Sequence, residues 1–226
     1  MENFGSLILP LLLSALVGYL LGSISFAILL TKAFAHEDVR AHGSGNAGAT
    51  NVLRVAGKKA SALTFLLDFC KCVASVLVGY FLVKHACVAN GVDPEMARLG
   101  MYAAGFCCMI GHMYPLYFGF RGGKGILSGG TIVLMLDWRV ALVAWGLFVV
   151  LWLSTKYVSL GSIAATASMP VTTFFVFSHN VLYTVLSAAI AALVIWCHRG
   201  NIQRLLSGTE KKFKWHVNPI REDDGK

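Results

Sequence analysis

Charge is scarce in this sequence. Only 13% of its 226 residues are Asp, Glu, Lys or Arg, against 57% that are hydrophobic, and the mean hydropathy is +0.68. A water-soluble domain of this length has no interior large enough for that much apolar surface, so lipid must be the solvent for much of the chain. Acid is scarcer still: 11 Asp and Glu stand against 19 Lys and Arg, for a net charge of +8. In a membrane protein such an excess records basic cytoplasmic loops, and no nucleic-acid partner is expected. The six cysteines lack CxxC spacing: Cys70, Cys72, Cys87, Cys107, Cys108 and Cys197 fall mostly inside apolar runs. They read as small buried hydrophobes rather than metal or redox sites. No basic flank precedes Leu7 and no clear cleavage site follows, so a first span is expected there and not a secretory signal. With no internal repeat and no separate soluble domain, residues 1–226 read as a single membrane-embedded domain.

Seven apolar segments follow one another: 7–31, 60–83, 99–120, 126–136, 140–153, 160–177 and 181–196. Polar stretches at 32–59, 84–98, 121–125, 137–139, 154–159 and 178–180 separate them, and 197–226 is a polar tail. The fourth segment is short, reaching about 16 Å at 1.5 Å per residue, so it is a crossing or a re-entrant hairpin. Charge arbitrates. If all seven cross, 16 of the 19 Lys and Arg lie on one side, leaving Lys84, Arg98 and Arg139 opposite. If the fourth does not cross, the basic tail changes sides. The positive-inside rule therefore predicts an all-α integral membrane protein with seven transmembrane helices, its N-terminus outside and its C-terminus cytoplasmic. Every glycine-rich stretch then faces the cytoplasm.

The stretch 111–125, GHMYPLYFGFRGGKG, is the centre of the functional reading. Gly122, Gly123 and Gly125, beside Arg121 and Lys124, make a loop whose backbone N–H groups can approach an anion, because no Cβ stands in the way. The following helix points its positive dipole end at the same place. That is a phosphate cradle at a membrane surface, although Walker A spacing is missing and a solvated glycine hinge fits these residues alone equally well. His112 at its edge is a packed interfacial residue or a base. The first loop carries SGNAGATNVLR at 44–54, in which Ser44, Asn46, Thr50 and Asn51 offer hydrogen bonds and Arg54 a planar fork for phosphate. It is a binding loop, or an ordinary one with a helix cap at Thr50 or Asn51.

Asp68 and Lys71, three residues apart within the second segment, can pair on one helix face, as a functional intramembrane pair or an ion pair bracing the first loop. Ser159 and Ser162 offer hydroxyls near the start of the sixth segment, where Ser159 also suits a plain N-cap. The tail opens HRGNIQRLLSGTE at 198–210, with His198, Asn201 and Leu205 on one helix face. A basic interfacial amphipathic helix is the other reading of that stretch.

Together SGNAGATNVLR, GHMYPLYFGFRGGKG and HRGNIQRLLSGTE, in that order, closely resemble the bacterial acyl-phosphate-dependent glycerol-3-phosphate acyltransferases. The resemblance runs from GSISFAILL at 22–30 to Glu210. It implies a seven-span enzyme of the bacterial cytoplasmic membrane that moves a fatty acyl group from acyl phosphate to the 1-hydroxyl of glycerol 3-phosphate. The products are lysophosphatidic acid and phosphate, the first step of phospholipid synthesis, with no metal, no cofactor and no acyl-CoA. Its partners are thus glycerol 3-phosphate, acyl phosphate and membrane lipid. By the same resemblance Ser44 and Arg54 orient glycerol 3-phosphate, with Asn46 beside them. Gly122, Gly123 and Gly125 hold the acyl phosphate with Lys124, and His198 and Asn201 belong to the third motif. Glu210 closes that motif as a structural residue. His112, Arg121, Ser159 and Ser162 complete the expected substrate contacts, and His198, Lys124 and Ser44 the catalytic set. Two positions depart from the family pattern: Arg121 stands where many members have Lys, and Cys72 where Gly usually follows the D-x-x-K of the second helix.

The residues agree with that chemistry. Two anionic substrates suit a face collecting Arg54, Arg121, Lys124 and Lys156. Acyl phosphate is already activated, so proximity and charge stabilisation are the main requirements. The base that takes the glycerol proton is His198, His112 or the substrate's own phosphate, with no His–carboxylate dyad evident in the loops to favour a histidine. No Ser-His-Asp order suggests an acyl-enzyme, so direct transfer is expected. An organophosphate transporter would show inverted repeats and mid-membrane polar groups. An acyl-CoA-dependent enzyme would show His-x-x-x-x-Asp, but Tyr117 stands where the Asp would follow His112.

Overall fold

A computed structural model describes residues 4–213, which are helical with short connections and no strand among the described residues. The helices are α1 (Ile8–Gly22), α2 (Phe26–Ala35), α3 (Ala49–Asn90), α4 (Ala97–Met113), α5 (Ile126–Leu136), α6 (Trp138–Thr155), α7 (Val158–Val176), α8 (Val181–Cys197) and α9 (Arg199–Leu206). Four stretches are long and apolar enough to cross a membrane, or five if the bent pair α8 and α9 counts as one. Residues 214–226 of the expected tail lie outside the described residues. The chain forms two compact units that divide within α5, after Ser128.

Lipid as solvent shows in the side chains. Phe81, Leu142, Val150 and Phe175 are each 60% exposed or more, whereas Ser14, Thr64, Ser75, Thr166 and Ser187 are buried. Large apolar groups facing outward over small and hydroxylated ones is the pattern of helices that associate by close backbone approach.

In the first unit that approach is made by small residues. A Cβ on Gly18 or Gly22 of α1 would overlap the backbone of Ala104 or Cys108 on α4, and one on Gly79 of α3 would overlap Gly100. The expected first segment is broken between α1 and α2, where Ser23 bonds back to the Tyr19 carbonyl at 2.8 Å. The polar stretch 32–59 is shorter than expected as a loop, because helix resumes at Ala49 behind Gly48, an N-cap with no side-chain bond. Neither Thr50 nor Asn51 caps it. Within α3 the chain turns at Gly57, whose φ of 82° only glycine adopts readily, and Ser61 reaches across to the Ala49 carbonyl at 2.8 Å. Residues 49–56 are thus a short separate helix carrying Arg54. The third segment stops at Met113 rather than 120, since Pro115 cannot continue a helix.

In the second unit α6, α7 and α8 match the last three expected segments within two residues. Asp137 caps α6 through the Arg139 N–H at 2.8 Å, and Asn180 caps α8 through the Tyr183 N–H at 3.1 Å. Helix α9 bends 59° from α8.

Candidate active site

The residues singled out by sequence fall into two clusters, one in each unit. In the first, the glycine-rich loop returns onto the end of α4. The C-terminal carbonyls of a helix lack intrahelical partners, and two of them take loop donors here: Gly122 N–H donates to Met113 O and Gly123 N–H to His112 O, each at 3.0 Å. A Cβ on Gly122 would overlap the His112 carbonyl, and one on Gly123 would overlap His112 Nε2. These two glycines are therefore required for contact with protein. The expectation that their N–H groups face an anion is corrected: helix carbonyls already hold both. Beyond them in the loop stand the half-buried Lys124, the buried Gly125 with its φ of 75°, and the start of α5.

The same loop is tied to the 44–54 loop. Ala47 N–H donates to Gly122 O at 3.4 Å. Arg40 donates through Nη1 to the carbonyls of Phe118 at 2.6 Å and Arg121 at 3.2 Å, while its Nε and Nη2 hold Asp38. That guanidinium beside Asp38 keeps the carboxyl below the usual carboxylate range. Asn51, fully buried, is the other organiser: its Oδ1 accepts Ser44 N–H at 2.9 Å, and its Nδ2 donates to Val39 O at 2.9 Å and His42 O at 3.0 Å. It leaves the Ser44 side chain exposed, Asn46 half-buried and Arg54 half-buried on the short helix that follows. Arg40 was missed by sequence reasoning. Its only signal was Asp-x-Arg, which recurs at Asp137 and Arg139 with the same bidentate geometry.

Asp68 and Lys71 do not brace the first loop. Lys71 Nζ donates to Gly22 O at 3.1 Å and Ile24 O at 2.6 Å, capping the broken end of α1, and stands 2.7 Å from Asp68 Oδ1. His112 Nδ1 lies 3.3 Å from the same ammonium.

The second cluster gathers on Glu210. Its Oε1 accepts from Ser159 Oγ at 2.8 Å and Asn201 Nδ2 at 2.6 Å, and its Oε2 from Arg204 Nε at 2.7 Å. Burial pushes the Glu210 carboxyl up, but the hydrogen bonds from Asn201, Ser159 and Arg204, with the charge of Arg204, outweigh it and hold it below its ordinary value. Ser159 is not an N-cap; its hydroxyl joins the start of α7 to this carboxylate. Ser162 Oγ donates to Val158 O at 2.9 Å. Both serine protons thus go to protein acceptors. His198, buried where α8 meets α9, lies with Nδ1 2.8 Å from the Val194 carbonyl. A carbonyl only accepts, so Nδ1 carries the proton and Nε2 of the neutral ring is the acceptor.

A family model described as glycerol-3-phosphate acyltransferase matches residues 12–208. A glycerol-3-phosphate acyltransferase of Clostridioides difficile (strain 630) is 40% identical over 94% of this chain and 98% of its own length. One from Thermoanaerobacter pseudethanolicus is 41% identical over 89% of this chain and 94% of its own. Among solved structures, the glycerol 3-phosphate form of PlsY (YgiH), an integral membrane glycerol 3-phosphate acyltransferase, superposes with a TM-score of 0.77 at 38% identity, covering 90% of this chain and 96% of that one. Its lysophosphatidic acid form gives 0.74 at 37% identity, with 90% and 95% covered. With a family model across most of its length and relatives at this identity over nearly all of theirs, the chain belongs to the glycerol-3-phosphate acyltransferase family.

Proposed function

We propose that this protein transfers a fatty acyl group from acyl phosphate to the 1-hydroxyl of sn-glycerol 3-phosphate, releasing lysophosphatidic acid and inorganic phosphate. The observation that carries the reading is the joining of the 44–54 loop to the glycine-rich loop, through Ala47 and Gly122, with Arg40 ahead of the first loop holding the second, in a protein of this family. Two loops that carry Arg54, Arg121 and Lys124 suit two phosphorylated reactants. PlsY, the similar structure, is known in glycerol 3-phosphate and lysophosphatidic acid forms, the acceptor and product of this reaction.

In this reading Ser44, Asn46 and Arg54 orient glycerol 3-phosphate, and Arg121, Lys124, Gly125 and the first turn of α5 bind the acyl phosphate, with Gly122 and Gly123 fixing the loop. Lys124 and the helix dipole stabilise charge as phosphate departs. The 1-hydroxyl attacks the acyl carbonyl, the acyl–phosphate bond breaks, and the hydroxyl proton passes to His198, His112 or a substrate phosphate. Transfer is direct, with no acyl-enzyme. Asn201 and Ser159 act from the Glu210 cluster and Ser162 from the α7 backbone. The whole chain serves as one membrane domain of the bacterial inner membrane, with seven crossings and the reaction on the cytoplasmic side. The placement of Lys and Arg supports that topology.

Purified protein in lipid, given palmitoyl phosphate and labelled glycerol 3-phosphate, is expected to make lysophosphatidic acid, and Arg54→Ala and Lys124→Ala variants to insert normally but lose transfer. Activity with palmitoyl-CoA alone would overturn the donor assignment.

A further inference from the structure

Lys71, Asp68 and His112 form a buried cluster between the end of α1 and the glycine-rich loop, with side chains 4%, 3% and 7% exposed. An ammonium has three N–H donors and no acceptor. Those of Lys71 point to Gly22 O, Ile24 O and His112 Nδ1, at 3.1, 2.6 and 3.3 Å. Asp68 Oδ1, at 2.7 Å, balances the charge as an ion pair without the alignment of a hydrogen bond. Because Lys71 only donates, His112 Nδ1 must accept. In the neutral ring the proton then sits on Nε2.

His112 and His198 are therefore opposite tautomers. His198 carries its proton on Nδ1, whereas Nε2 of His112 is an N–H donor. That donor has no hydrogen-bond partner among the described residues. It reaches the backbone of the glycine-rich loop at the position a Cβ of Gly123 would take, a position that also lies 2.8 Å from the Ala47 carbonyl. The absence of a side chain at Gly123 is what admits the imidazole there.

From this geometry we infer that His112 serves the reaction as a hydrogen-bond donor through Nε2–H to phosphate oxygen at the glycine-rich loop, with Lys71 and Asp68 as positioning residues that set its tautomer. The inference rests on the acyl phosphate reading above and removes His112 from the candidates for general base. A donor to a phosphate oxygen gains strength as charge develops on the departing phosphate, so its loss falls on kcat more than on KM for glycerol 3-phosphate.

Two measurements test it on the full-length protein in detergent. In ¹⁵N-histidine-labelled protein, long-range ¹H–¹⁵N correlation is expected to show His112, assigned by its loss in His112→Gln, protonated on Nε2 and bare on Nδ1. A proton on Nδ1 would overturn the tautomer assignment, whatever donor the enzyme uses. In the palmitoyl phosphate assay His112→Ala is expected to lose about 10- to 100-fold in kcat, the range for a hydrogen bond to a charged group. His112→Gln, whose side-chain amide restores an N–H near the Nε2 position, is expected to recover most of it. Equal losses in the two variants would refute the donor role and point to a base or to packing, and wild-type rates in both would remove His112 from the reaction. If wild-type protein itself turns over only palmitoyl-CoA, the acyl phosphate reading fails while the tautomer result still stands or falls separately.

Discussion

The substitution Gly122→Ala separates two explanations of the glycine-rich loop. If Gly122 is there to let an anion approach, a methyl group weakens substrate binding and leaves the fold intact. The structure argues otherwise. A Cβ at this position would overlap the His112 carbonyl and lie 2.7 Å from Pro115 Cδ and 2.9 Å from the Met113 carbonyl. All three belong to backbone or a proline ring, so none can swing aside, and the loop must retreat. Retreat stretches the bonds from Gly122 N to Met113 O, from Gly123 N to His112 O and from Ala47 N to Gly122 O. Loss of two or three such bonds at about 1 kcal/mol each, with overpacking strain of about 1–3 kcal/mol, gives a total of roughly 3–6 kcal/mol. Gly119→Ala is the control. Its φ of 67° makes alanine strained, yet a Cβ there meets nothing within 4 Å, so about 1 kcal/mol is expected. Thermal unfolding in detergent, followed by intrinsic fluorescence, should therefore give Gly122→Ala a much larger fall in midpoint than Gly119→Ala. Binding of glycerol 3-phosphate to the 44–54 loop should weaken along with it. A Gly122→Ala protein as stable as wild type, with only its acyl phosphate KM raised, would refute the packing argument and restore the cradle.

Asn51→Ala should raise KM for glycerol 3-phosphate well above any change in kcat, because it leaves Ser44 N–H and the Val39 and His42 carbonyls without their partner; at about 1 kcal/mol for each group left unpaired, a stability loss of roughly 3 kcal/mol accompanies it. Steady-state kinetics that match wild type would show that the loop is held by other means. The carboxyl of Glu210 is depressed in the folded protein, so its stabilisation is present above the unfolded pKa and is lost as pH falls through the folded value. Wild-type midpoints are accordingly expected to drop toward acid pH below the ordinary carboxylate range, and Glu210→Gln to be less stable at neutral pH with a flatter profile there. Parallel curves for the two proteins would count against the cluster.

Much of this protein is legible without coordinates. Hydropathy is a local property, so α5 lies where its apolar run predicts and α6 to α8 depart from theirs by at most two residues. The three motif stretches likewise announce a phosphate-handling membrane protein from residue type and order. Local pattern fails where a helix is interrupted by a partner remote in sequence. The break after Gly22 is capped by Lys71, 49 residues away, and the loop before α5 is held by Arg40, 78 residues from Phe118. The same distance in sequence hides the roles of individual donors. Residue type marks Ser159 as a cap, Gly122 and Gly123 as anion binders, and His112 and His198 as equivalent candidate bases. Tertiary structure alone gives the serine to Glu210, the glycine N–H groups to α4 and the two Nδ1 atoms different neighbours, an ammonium at His112 and a carbonyl at His198. A hydrogen bond is decided by which acceptor stands within about 3 Å of a donor, and folding, not sequence spacing, brings the two together.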